Sequence, residues 1–163
     1  MTYDPGWPEI LKRQDELLKF GRLTNEDALT LGLYALDQAR AFGKAFSVRV
    51  ILHGMTVFTH HMDGTGLYHD WWMDKKLNAS RETGVSTLRL FSEIQAGLRP
   101  RPAFLDDELN YAWDGGCVPM RDMDGRVFGY VIASGASHEL DHEVAVRAMA
   151  RFLNVDIPSA ALS

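Results

Sequence analysis

The segment His138-Glu139-Leu140-Asp141-His142 fits the HExxH spacing. On a helix the two histidines, four residues apart, share a face and can hold zinc, while the glutamate polarises a metal-bound water. Such a hydrolase needs a third protein ligand, yet no glutamate or histidine follows Glu143. Ala145 and Ala148 stand where the extended motif carries glycine and a third histidine. Acidic residues in a first helical turn are also what the helix dipole favours. The residues argue against zinc, and leave His138 and His142 as metal-ligand candidates only if another element supplies the third ligand.

Two further groups could hold a ligand. His60 and His61 are adjacent on an expected strand, so they point to opposite faces. With His53 and His69 they place four of the six histidines around one hairpin and the loop after it. One of them could serve as an axial haem ligand or a metal ligand; the plainer reading is polar residues at strand ends. Trp71 and Trp72 precede Lys75, Lys76 and Arg81 on one expected helix. An aromatic beside lysines suits a carboxylate-bearing ligand, haem propionates included. Trp72 as a core anchor, with the lysines in solvent, is the competing reading. Trp72 and Lys76 join His60 and His61 as ligand-binding candidates. Cys117, at a strand start after Gly115-Gly116, reads as a small buried hydrophobe, since a nucleophilic thiol needs a neighbouring base and a lowered pKa. No helix start follows the glycine pair, so it is not a phosphate loop. No residue is assigned a catalytic role.

These residues must be positioned by a chain of 163 residues, enough for one domain with a real core. Apolar residues at 46% and charged residues at 24% exclude intrinsic disorder. A net charge of −5 argues against nucleic-acid binding by phosphate neutralisation. No apolar run approaches the roughly 20 residues of a membrane helix. The opening MTYDPGWPEI has neither the basic start nor the apolar stretch of a secretory leader. With a single cysteine, a cytoplasmic location is expected.

The pattern predicts helices over 7–20, from the cap Thr24 to Phe42, over 69–83, after the cap Ser86, and over 138–154. Strands are expected over 46–53, 55–61, 117–122 and 126–134, the last two joined by a turn at Asp124-Gly125. Residues 99–102 read as an extended linker, and one helical turn is expected at 106–109. Two hairpins cannot each bury a face alone. The fold class is therefore α+β: residues 1–163 form a single domain, an antiparallel sheet of four or five strands covered by helices, with 1–20 an N-terminal helical extension.

Several segments, in order, resemble one family. They are Thr24-Asn25-Glu26-Asp27-Ala28-Leu29 with Leu31-Gly32-Leu33, Gly64-Thr65, and Trp72 with Lys75-Lys76 and Asn78. Gly115-Gly116, Val118-Pro119-Met120-Arg121, the hairpin to Ser134-Gly135 and Asp141-His142-Glu143 complete them. The sequence resembles the cytosolic branch of the haem-degrading-domain family, which includes GlcG-like and HbpS-like proteins, over roughly residues 20 to 154. The resemblance implies a profilin-like or GlcG-like arrangement, a homo-oligomer, and haem or another small ligand. The family's Gly-His-Ser-Ser stretch is here Gly84-Val85-Ser86-Thr87, without the histidine. His138 then completes the peptidase pattern by coincidence, beside the family's Asp-His-Glu segment. Three roles follow: a ligand-binding homo-oligomer, a non-catalytic adaptor for protein partners, or a metal-dependent hydrolase built on His138 and His142.

Overall fold

Alternation along the strands decides which side of the sheet each residue faces. Val48, Val50 and Leu52 of β2 (Ser47–Leu52), Val118 and Met120 of β4 (Cys117–Asp122), and Val131 and Ala133 of β5 (Val127–Ser134) point one way and are buried. They meet Ala28, Leu31 and Ala35 of α2 (Asn25–Ala41) and Ala145, Ala148 and Met149 of α5 (His138–Leu153). Ile51, Cys117 and Ile132 point the other way, onto Met73 and Leu77 of α3 (Leu67–Thr83). Beside α3, on that side, α1 (Trp7–Leu17) and α4 (Thr87–Gln95) pack together through Trp7, Leu11, Leu88 and Phe91. The computed structural model describes residues 1–161 in this α+β arrangement.

The sheet has the order β1-β4-β5-β2-β3, with β3 spanning Met55–His61. The four expected strands pair antiparallel. The fifth is β1 (Lys19–Phe20), which runs parallel to β4 and makes the sheet mixed. The first helix therefore stops at Leu17 rather than at 20: Leu18 leaves the helical region at ψ 73°, and the next two residues join the sheet. The short helical turn also falls earlier than expected, as a 3-10 turn at Ala103–Asp106.

A capping box begins α2: Thr24 Oγ1 accepts from Asp27 N, and Asp27 Oδ2 accepts from Thr24 N. Gly32 lies where α2 crosses Phe58 of β3, and a Cβ there would overlap the Phe58 ring. Alanine normally stabilises a helix interior by about 1 kcal/mol over glycine. Here overpacking should win, and Gly32→Ala is expected to lose about 1–3 kcal/mol in urea unfolding. A stabilised variant would contradict this close approach.

Candidate functional site

α3 enters the domain with Tyr68, His69, Trp72 and Lys76 along one side, at the helical spacing that keeps them together. The end of β5 and the start of α5 lie opposite, supplying Ser134, Gly135, Ala136, His138 and Asp141. With Asp114 these residues enclose a cleft of about 240 Å³.

Its floor is an ion pair. Lys76 Nζ donates to Asp141 Oδ2 at 2.8 Å and to the Ala133 carbonyl at 3.2 Å. Asp141 Oδ1 accepts from the Gly135 and Ala136 backbone N–H groups at 3.1 and 2.8 Å. Lys76 is 2% exposed and Asp141 4%, so both charges sit essentially out of water. Burial raises the Asp141 carboxyl above its usual range, and Lys76 and the two backbone donors pull it back down. Gly116 makes room for this arrangement: at φ +134° it has a backbone suited to glycine, and a Cβ there would lie 2.8 Å from Lys76 Nζ. Gly116, just before β4, is thus a close approach of the backbone to the ion pair, while Gly115 lies against the His138 carbonyl.

Tyr68 and Trp72 also line a neighbouring groove of about 450 Å³ with Trp71, Asp74, Lys75, Asn78, Leu109 and Asn110. Tyr68 stacks edge-on against Trp72, and Lys75 Nζ sits 5.1 Å from the Trp72 ring centre. Trp71 is 56% exposed and Tyr68 60%, whereas Trp72 is half-buried.

Of the other sequence candidates only His138 reaches the cleft wall; His60, His61 and His142 are placed apart from it. His60 and His61 lie exposed at the end of the edge strand β3. His61 Nδ1 lies 2.7 Å from Ser47 Oγ and its Nε2 is 3.5 Å from Asp70; neither histidine lines the cleft or the aromatic groove. His138 and His142 are both bound to the N-terminal segment. His138 Nε2 meets the Thr2 carbonyl at 2.8 Å, and His142 Nε2 meets Gln14 Oε1 at 2.8 Å. Among the described residues, no group of three or more histidine, cysteine or acidic side chains is gathered as a metal centre. Burial lowers both histidines, His142 to about 4. Cys117 is fully buried, and its thiol is pushed up to about 12, the state of an inert core sulfur. The stretch without the family histidine does structural work, since Ser86 caps α4 and Thr87 Oγ1 accepts from Cys117 N.

Residue types and spacing pointed to Trp72 and Lys76 but not to Asp141 as the partner of Lys76, 65 positions away. One local signal was available: Lys76 occupies the same helical face as Met73, Leu77 and Ser80, all buried. A lysine on an inward face implies a buried counter-charge.

The chain folds as a mixed five-stranded sheet with helices on both faces, and it belongs to the HbpS-like family of haem degrading proteins, whose family model matches residues 23–150. Among its relatives, the UPF0303 protein of Brucella melitensis biotype 1 is 32% identical over 151 residues, spanning 92% of this chain and 89% of the relative. The UPF0303 protein of Brucella canis shows the same identity and coverage. The crystal structure of Ybr137w shares the fold with a TM-score of 0.79, 24% identity, and coverage of 92% and 90% of the two chains. A crystal structure of a PduOC–heme complex superposes at a TM-score of 0.67, with 21% identity over 85% of this chain and 99% of that one.

Proposed function

We propose that the protein binds a flat, carboxylate-bearing ligand, with haem the first candidate, and that it does so as a cytoplasmic homo-oligomer. The observation that carries this reading is the sharing of Tyr68 and Trp72 by the 240 Å³ cleft and the 450 Å³ groove. A porphyrin needs an aromatic or apolar wall for its ring and cations for its propionates. Tyr68, Trp71 and Trp72 supply the first, and Lys75 the second. Family membership and the heme-bound PduOC fold relative support the same ligand.

The fit to haem is good for the ring, and Lys75 can meet one of its carboxylates. Iron ligation is less prepared. His69 Nδ1 accepts the Gly66 N–H at 3.1 Å, so its neutral tautomer carries the proton on Nε2. To offer Nε2 to a metal, His69 has to give up that bond at the start of α3. The ligand is therefore held chiefly by stacking and charge. The exposed Leu67, Tyr68 and Trp71 also supply apolar surface for contact between subunits, or with another protein in the adaptor reading. One buried thiol suits the reducing cytoplasm.

A haemin titration followed at the Soret band, with native mass measured alongside, tests the proposal. One haem per chain on a multimer is expected. Trp72→Ala should weaken binding by about ten-fold, the loss of one stacking face. If His60→Ala with His61→Ala abolishes the signal while Trp72→Ala does not, the ligand sits on β3 instead. A linear, non-saturating response would remove haem and favour the adaptor role.

A further inference from the structure

At the opposite end of the β4–β5 ladder from the cleft lies a groove of about 420 Å³, lined by Lys12, Asp15, Glu16, Lys19, Arg89, Arg121 and Gly125. Its charges do not cancel. Arg89 is shared between Asp15 and Glu93, each at 2.6 Å, and Glu93 is also held by Arg99 at 2.9 Å. Glu16 pairs with Arg13 at 3.1 Å. Once these pairs are formed, Lys12, Lys19 and Arg121 remain without a carboxylate within ion-pair distance among the described residues. Arg121 donates only to backbone, to the carbonyls of Gly84 and, at 3.4 Å, Gly125. Lys19 Nζ stands 3.6 Å from where a Cβ on Gly125 would be, over the turn that leads out of β4. Three cations without an ion-pair partner among the described residues thus meet in one concavity on a protein whose net charge is −5.

We infer that this groove binds a small phosphate-bearing ligand carrying two or more negative charges. The volume lies in the range of ordinary ligand pockets, roughly 300–1,000 Å³. Arg121 has donors left for a forked contact to phosphate oxygens, and its backbone bonds fix the guanidinium in place. Lys12 from α1 and Lys19 from β1 add two ammonium groups to the same lining. Asp15 does not oppose an arriving anion, because Arg89 already holds its carboxylate. Burial raises that carboxyl even against the pull of Arg89, Arg121 and Lys19.

Calorimetric titration of the full chain with pyrophosphate, at physiological salt, tests the inference. Saturable binding at one site per chain is expected. Lys12→Gln with Lys19→Gln should weaken it by about ten-fold or more, with an unchanged melting temperature. Lys44→Gln, which removes a charge from an exposed site elsewhere, should change it by no more than about two-fold. Citrate, a carboxylate of comparable charge, should bind more weakly. The inference fails if pyrophosphate does not saturate below about 10 mM. It also fails if the double variant binds as wild type does, or if citrate binds as tightly as pyrophosphate.

Discussion

Replacing Lys76 by methionine should lower the free energy of unfolding by about 3–5 kcal/mol, the cost of leaving half of a buried ion pair behind. Methionine fills much of the lysine's volume, so the loss is electrostatic rather than a cavity. Asp141 would keep its bonds from Gly135 and Ala136 but lose the ammonium at 2.8 Å, in a place where burial already opposes its charge. The Ala133 carbonyl would lose its side-chain donor as well. The diagnostic result is a partial rescue: Lys76→Met with Asp141→Asn should be more stable than Lys76→Met alone. An uncharged asparagine keeps an acceptor for the two N–H groups without stranding a charge. Urea unfolding of the four members of this cycle measures the coupling. A single-variant loss under about 1 kcal/mol would mean that water reaches the pair.

The second large effect is acid sensitivity. His142 is buried and uncharged, with Nε2 used on Gln14 and Nδ1 without a partner. Its folded pKa is about 4, against 6.5 for the free side chain. The unfolded chain therefore takes up a proton near pH 6.5 that the folded chain refuses until about pH 4. The contribution of His142 is complete above pH 6.5 and is lost as the pH falls to about 4, on the order of 3 kcal/mol in all. His138 is also lowered by burial and adds in the same direction. Asp15 and Asp141, whose carboxyls are raised, act the other way and favour folding at lower pH. The clean measurement is thus the difference between wild type and His142→Gln. That difference should shrink steadily between pH 6.5 and 4, and a constant difference would contradict a buried neutral imidazole.

Local chemistry made much of the scaffold legible. Thr24 with Asp27, Ser86, and Asp124-Gly125 are short-range signals, and each marks its helix start or turn in the structure. The small residues Ala28, Gly32, Ala35 and Ala39 recur at helical spacing, and all four lie on the buried side of α2. What stayed hidden is long-range. Lys19-Phe20 is too short to alternate, and becomes a strand only because Arg121 and Asp122 lie beside it. The site divides in the same way: Trp72 and Lys76 were visible as an aromatic–basic run on one helix, while Asp141 and the carbonyl of Ala133 reach them only through the tertiary fold. HExxH shows the opposite hazard. The four-residue spacing was satisfied, but Thr2 and Gln14, more than a hundred positions earlier, each take up the Nε2 of one histidine.

The first helix is tied to the far end of the chain: Trp7 Nε1 donates to the Ala160 carbonyl at 2.9 Å, Gln14 Nε2 to the Pro158 carbonyl at 2.7 Å, and Gln14 Oε1 faces His142. The strand that follows it pairs with residues about a hundred positions later. During synthesis, at roughly 5–20 residues per second, this leading segment waits on the order of ten seconds before its partners leave the ribosome. Trp7 and Leu11 lack cover until Leu88 and Phe91 of α4 are made, and that cover is completed only by Ala160. The α1 segment is therefore open to chaperones and proteases for longer than the helices that pack on the sheet, and its docking is complete only once residues 158–160 have been made.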